Sequence, residues 1–203
     1  FNSIALRGNI QNFENSDISL YLGSNFHFVI YPINQNNEFN FISIVRKKLV
    51  GSEITNRSLF KDKIFINNLM SQISSKSDLN LSELVNEIKC FPIFVSKKIK
   101  IPSNKNIFLM GDAFFSFPPS FAQGASQSIE SANDLFNDLN NNLSNYYKKR
   151  VLKTKQINSR SSINHHAFHI ANPINVFFRN IFLKYLSKNK SFLENYLGKI
   201  YKN

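Results

Sequence analysis

The stretch Ile107-Phe-Leu-Met-Gly-Asp-Ala-Phe-Phe-Ser-Phe-Pro-Pro-Ser-Phe-Ala-Gln-Gly-Ala-Ser-Gln-Ser-Ile-Glu-Ser-Ala132 decides the fold of this chain. Its four opening apolar residues, Ile107 to Met110, read as a short strand buried on both faces. Gly111 ends that strand and lets the backbone come close to a neighbour. Asp112 then stands at the strand's carboxyl end, the side on which α/β sheets bind ligands. Pro118 and Pro119 predict a stiff, extended segment. Gln123, Gly124, Ala125 and Ser126 deliver the chain into a helix, since Ser126 to Asn142 contains neither Gly nor Pro. The first N–H groups of such a helix have no intrahelical partner, and with the helix dipole they favour an anion.

Upstream, Ser19-Leu20-Tyr21-Leu22, His27 to Tyr31 and Phe39 to Val45 are rich in aromatic and β-branched residues. The turn formers Gly23-Ser24-Asn25 and Asn34-Gln35-Asn36-Asn37 separate them, which predicts an antiparallel meander of three or four strands. Between residues 56 and 89 the apolar period becomes helical, through Leu59, Ile66, Leu69, Met70 and Ile73 and then Leu81, Leu84, Val85 and Ile88. Two short helices are expected there, broken by Ser75-Lys76-Ser77-Asp78. A further strand is expected over Phe91 to Ile99, an edge or a strand start because of Pro92.

Downstream, Ile129, Ala132, Leu135, Phe136 and Leu139 form one helical stripe. A second long helix is expected from Ser144 to about Ile170, ahead of Pro173, and short helices carry Val176, Phe177, Ile181, Phe182 and Leu183. The fold class is therefore α+β, part of an α/β ligand-binding fold. The expected domains are a β-sheet with two short helices (1–100), the segment holding the quoted stretch (101–142) and a helical tail (143–203).

The formal charge is +12. From Asn140 onward twelve Lys or Arg stand against the single acid Glu194. Such a tail can attract anionic lipid or nucleic acid, although abundant Asn, Lys and Ile also fit the coding bias of an AT-rich genome. The expectation is no nucleic-acid partner, with peripheral contact to a membrane surface left open. Cys90 is the only cysteine, which excludes an internal disulfide and makes a reducing, cytoplasmic setting the expected one. His165, His166 and His169 share a helix without nearby acids, so they read as surface or packing residues and no metal site is expected.

A carboxylate that accepts hydrogen bonds from ligand hydroxyls, followed by a helix mouth that holds developing negative charge, describes a site for FAD. The ribityl chain of that cofactor carries hydroxyls, and its reduced isoalloxazine is negative near N1 and the C2 carbonyl. The pattern Gly-Asp-Ala-x-x-x-x-Pro-Pro-x-x-x-x-Gly-x-x-x-x-Ile-Glu-x-Ala resembles the second flavin motif of the group A aromatic hydroxylases. That family includes para-hydroxybenzoate, salicylate and ubiquinone-ring hydroxylases.

The resemblance implies that Asp112, following Gly111, bonds the ribityl or diphosphate region. It implies that the amides of Gly124, Ala125 and Ser126, entered through Gln123, hold the pyrimidine edge, and that Pro118 and Pro119 line the flavin and the catalytic cavity. Less specifically, Ala5-Leu6-Arg7-Gly8, His27 to Pro32 with Phe39-Asn40-Phe41, Phe168-His169 and Phe178-Arg179-Asn180 are similar to other parts of the salicylate-hydroxylase branch. In that reading His27 and Tyr31 reach substrate, and Arg7 pairs with a carboxylate or makes a strand-end salt bridge.

The activity so implied is an FAD-dependent monooxygenase in which NAD(P)H reduces the flavin and O2 supplies the oxygen passed to an aromatic, phenolic substrate. No residue is assigned as catalytic acid or base. Alternatives are a reductase or halogenase of the same fold, or a catalytically inactive remnant serving as a basic membrane- or nucleic-acid-associated protein. The chain departs from the family at Phe114-Phe115, where Ala-His is usual, at Ser126 for Asn and at Ser131 for Asp. No Gly-x-Gly-x-x-Gly occurs in the sequence, and that motif normally cradles the ADP diphosphate. With its opening at Phe1, the sequence reads as the C-terminal portion of a longer protein, or as one whose upstream half was lost, and this chain alone is expected to bind FAD weakly or not at all.

Overall fold

The computed structural model describes residues 1–200 apart from 15, 16, 35, 78, 105, 140–142 and 199. Gln35 of the expected turn, Asp78 of the expected helix break and the end of the helix expected to reach Asn142 lie outside the described residues. The chain forms two compact units, one made of Phe1–Ile93 with Phe168–Ala171, the other of Phe94–Ala167 with Asn172–Asn203.

The first unit is built on one antiparallel sheet. Its strands are β1 (Ser3–Gln11), β2 (Ser19–Gly23), β3 (Phe26–Pro32), β4 (Glu38–Arg46) and β5 (Val85–Pro92), in the order β2-β3-β4-β1-β5. The period-2 pattern sends Ile4, Leu6, Ile10, Phe26, Phe28, Ile30, Phe39 and Phe41 to one face, where all are buried. Between β4 and β5 lie α1 (Gly51–Thr55), a 3-10 turn (Leu59–Lys61), α2 (Lys63–Ser74) and the single-turn α3 (Leu81–Leu84). Asp62 caps α2 by accepting from the Ile64 amide at 2.8 Å. The helix buries Ile66, Leu69, Met70 and Ile73 against that face of the sheet.

Two expectations fail in this unit. The helical run from Leu81 to Ile88 stops after one turn, because Val85 to Pro92 pairs with β1. The strand expected over Phe91 to Ile99 therefore lies earlier in the chain. Spacing alone did not separate the two, since Leu81, Leu84, Val85 and Ile88 suit a helix while Val85, Ile88 and Cys90 are equally able to meet a sheet edge. Gly8 makes that pairing possible. The register between β1 and β5 shifts between Arg7 and Asn9, and a Cβ on Gly8 would sit 2.4 Å from Val85 Cγ1 and 2.7 Å from the Asn86 carbonyl.

The second unit is helical. It contains α4 (Gly111–Phe114), a 3-10 turn (Pro119–Phe121), α5 (Gly124–Asp138), most of α6 (Leu143–Phe168), α7 (Pro173–Leu186), α8 (Lys190–Leu193) and a π-turn (Glu194–Gly198). The expected strand over Ile107 to Met110 is not one: the segment pairs with no strand, and Ile107 and Met110 are half exposed. A strand exists only by pairing, and every strand among the described residues belongs to the other unit's sheet. Two tyrosines of α6 take over part of the task, Tyr146 OH donating to the Leu109 carbonyl at 2.8 Å and Tyr147 OH to that of Ile107 at 3.4 Å.

A second reversal concerns α5. Of the stripe Ile129, Ala132, Leu135, Phe136 and Leu139, all but the partly buried Leu135 face outward, with Ile129 and Phe136 73% and 78% exposed. The buried side is polar, formed by Gln127, Ser131 and Asp138. The amphipathic period was real, but a neighbour rich in polar groups, α6, claimed the other face.

Candidate functional site

Gly111 opens α4 with φ +56, a left-handed backbone that favours glycine. A Cβ there would stand 2.7 Å from Ser128 Oγ on α5, so the turn and the helix touch at this point. The Gly111 amide lies 3.5 Å from Ser131 Oγ, and Ser131 Oγ lies 2.9 Å from Tyr146 OH. Ser131, one of the departures from the aromatic-hydroxylase pattern, thus ties the turn to α5 and α6. Burial holds the Tyr146 hydroxyl above its usual range, opposed by the Ser131 hydrogen bond and Arg150.

Asp112 is exposed and makes no hydrogen bond or ion pair among the described residues. Its carboxylate is open to a ligand that offers hydroxyls. Phe114 and Phe115 do not stand in the open: both are buried, Phe114 packing on Tyr147 and Phe115 on Phe117. They fill the interior of this unit.

The two prolines do different things. Pro118 is extended (φ -56, ψ 137) and buried, as expected of a stiff segment, whereas Pro119 begins the 3-10 turn and is exposed. The extended reading therefore fails at Pro119, whose fixed φ suits the first position of a helical turn equally well. Ala122 follows in the left-handed region (φ 51, ψ 31) and bends the chain toward α5. Ser120 at the centre of the turn is held from α6: its Oγ lies 3.1 Å from His165 Nδ1, and its carbonyl accepts from Asn164 Nδ2 at 3.2 Å.

At the mouth of α5, Gln123 is buried and makes no side-chain cap. Its carbonyl and its Oε1 both accept from Ser126 Oγ at 3.2 Å. A Cβ on Gly124 would meet nothing within 4 Å, and Ala125 is exposed. The first turn of this helix, without a side-chain cap and with open space at Gly124, suits an anionic or hydrogen-bond-accepting edge.

Sequence reading missed what holds α5 in place. Arg150, only 2% exposed, donates to Gln127 Oε1 at 2.8 Å and to the Gln127 carbonyl at 3.4 Å. It also pairs with Glu130 at 3.4 Å and Asp134 at 3.3 Å, while Lys153 pairs with Glu130 and Lys149 with Asp138. The signal was available: Glu130, Asp134 and Asp138 recur every four residues, which puts three carboxylates on one helix face.

The other sequence candidates lie in the first unit. His27 on β3 is buried, its Nδ1 3.1 Å from His169 Nε2 and its ring edge-on to Phe168. Tyr31 is half-buried, and its hydroxyl accepts from Asn40 Nδ2 across the β3–β4 pair. Arg7 is exposed and forms no ion pair among the described residues. Cys90 is buried in the core, and burial pushes its thiol up to about 12. Of the three tail histidines, His169 and His165 are engaged as above and His166 is exposed. No three His, Cys, Asp or Glu residues cluster in a metal-binding arrangement among the described residues.

No protein-family model and no curated protein sequence matches the chain. Solved structures do match it. HpxO of Klebsiella pneumoniae, complexed with FAD and uric acid, aligns over 98% of this chain and 53% of its own, with 12% identity and a TM-score of 0.70. A salicylate hydroxylase in complex with substrate aligns over 92% and 53%, with 13% identity and a TM-score of 0.64. The tetracycline destructase Tet(55) aligns over 96% and 53%, with 14% identity and a TM-score of 0.61. The chain thus has an α+β fold like that of part of the FAD-dependent hydroxylases, and it spans about half the length of each of these proteins.

Proposed function

We propose that this chain is the C-terminal portion of an FAD-dependent monooxygenase that uses NAD(P)H and O2 to hydroxylate a small aromatic, phenolic substrate. The observation that carries the reading is the pairing, within one compact motif, of an unpartnered exposed carboxylate at Asp112 with an uncapped, open helix mouth at Gly124. A fold like that of part of the FAD-dependent hydroxylases supports it.

In this proposal Asp112 accepts hydrogen bonds from the hydroxylated stem of FAD, with Gly111 allowing the close approach. Gln123, Gly124, Ala125 and Ser126 present amides and the positive end of the α5 dipole to the pyrimidine edge, which stabilises the anionic reduced state. Pro118 and Pro119 line the same region. Bound there, the cofactor supplies the redox and oxygen-transfer chemistry, and the chain orients it and excludes water. Residues 1–100 serve as the substrate-side sheet, with His27 and Tyr31 the candidates for substrate contact, 101–142 hold the flavin, and 143–203 form the basic tail. The single buried thiol fits a reducing, cytoplasmic setting.

The test begins with the coding sequence upstream of Phe1. A strand-Gly-x-Gly-x-x-Gly-helix unit there, joined to this chain, should give a yellow protein, while the chain alone should bind FAD weakly or not at all. Asp112→Ala in the joined protein should lower flavin occupancy without lowering stability, because the side chain makes no protein contact that folding needs. A variant as yellow as its parent would remove the role assigned to Asp112.

A further inference from the structure

Helix α7 wears its most apolar side outward. At roughly 100° per residue, Ile174, Phe177, Phe178, Ile181, Phe182 and Tyr185 share one face, and each is between 51% and 71% exposed. The other side is the better covered one: Val176, Arg179 and Leu186 are partly buried, and Arg179 donates to the Ala167 carbonyl at 3.4 Å. A globular protein normally buries the apolar stripe of a helix and leaves the polar side wet. A contiguous aromatic face of this size marks a surface that meets something other than water.

Charge distinguishes what covers this face. From Leu139 to Leu193 the chain has no Asp or Glu. Lys184 flanks the aromatic face beside Phe177, and Lys188 and Lys190 follow the helix directly. Lysine is depleted at protein interfaces, whereas a basic flank beside a Phe-rich face is the pattern of a helix lying in the plane of a membrane. The outward stripe of α5 provides the contrast: that helix contains no Lys or Arg, so nothing on it would meet lipid phosphates.

We propose that α7 is a membrane-surface helix that sinks its aromatic face into the headgroup region of an anionic bilayer, with the neighbouring lysines on the lipid phosphates. Its 14 residues reach about 21 Å at 1.5 Å per residue, short of the roughly 30 Å hydrocarbon core. No helix among the described residues is long and apolar enough to cross a membrane. The helix therefore lies on the bilayer, with its first turn capped by Asn172, whose Oδ1 accepts from the Ile174 and Asn175 amides. Membrane attachment of this kind is independent of flavin binding, and the two properties fail separately.

The full chain is sedimented with vesicles of phosphatidylcholine alone and of phosphatidylcholine mixed with phosphatidylglycerol in equal parts. The parent protein should partition onto the mixed vesicles and only weakly onto the neutral ones. Replacing exposed phenylalanines should lower that partition by roughly tenfold each in Phe178→Ser and Phe182→Ser, with unchanged circular dichroism. Lys184→Glu with Lys188→Glu should weaken binding to the mixed vesicles alone, and Phe136→Ser on α5 should leave binding intact. Failure of the parent to bind mixed vesicles would overturn the proposal. So would parent-like binding by the Phe178→Ser, Phe182→Ser double variant, or a self-association that this double variant abolishes while vesicle binding stays absent.

Discussion

The guanidinium of Arg150 donates to the side-chain carbonyl of Gln127 at 2.8 Å, fixing the first turns of α5 to α6 through a charge that is almost wholly removed from water. The same group reaches the carboxylates of Glu130 and Asp134. A buried cation of this kind is tolerable only while its partners remain. The candidate helix mouth is thus oriented by a polar network.

Arg150→Met should destabilise the protein by about 3 kcal/mol. The loss stays at the lower end for a buried pair because Glu130 and Asp134 are 28% and 22% exposed and can turn to water. Lys149→Ala removes a half-exposed lysine but leaves Asp138, 9% exposed, with the long hydrogen bond from Asn145 at 3.4 Å, and should cost a smaller amount, about 1–2 kcal/mol. Urea unfolding of the two variants beside the parent checks both, and equal losses would contradict the burial argument.

Gly111→Ala should cost roughly 2 kcal/mol, from a left-handed backbone that alanine disfavours and from the clash with Ser128 Oγ. Adding Ser128→Ala, which removes the Oγ and keeps a helix former inside α5, should recover much of the steric part and leave the backbone part. A thermal melt of the double variant as low as that of Gly111→Ala would show that the close contact carries no energy.

Ala122→Gly should stabilise by about 0.5 kcal/mol. Alanine at φ 51 pays a left-handed penalty of about 1–2 kcal/mol, against about 0.5–1 kcal/mol for the greater freedom of an unfolded glycine. The chemical-denaturation midpoint should rise, and a fall would mean that the Ala122 methyl makes a contact worth more than the strain.

Cys90 holds its proton up to about 12 in the folded protein, against 9.0 for an ordinary thiol. Between those values the folded state binds more protons than the unfolded one, so this contribution to stability is whole below pH 9.0 and falls as pH climbs toward 12. Iodoacetamide at neutral pH should label the thiol at least roughly tenfold more slowly than in urea, since only the thiolate reacts. Cys90→Ala should flatten part of the alkaline loss seen in melts across that range.

How much was legible follows from which interactions are local. The strands over Ser19–Gly23, Phe26–Pro32 and Glu38–Arg46 were readable because alternation and turn residues act within a few positions, as at Asn25 in the β2–β3 turn with φ 67. The start of α5 was readable for the same reason. The end of the Leu81 helix was not, because whether Val85 continues it or joins a sheet depends on β1, some eighty residues earlier.

By itself, then, the sequence determined the ordered motif from Gly111 to Ser126, the periods of its helices and a basic tail whose single acid is Glu194, all properties of neighbouring residues. Only the tertiary structure decided which side of each helix is covered. Periodicity says that a helix has two faces and says nothing of the partner that meets one of them. In α5 the cation of Arg150 selected the carboxylate face, since a charge out of water must be answered by opposite charge and hydrogen bonds. That choice left Ile129 and Phe136 outside.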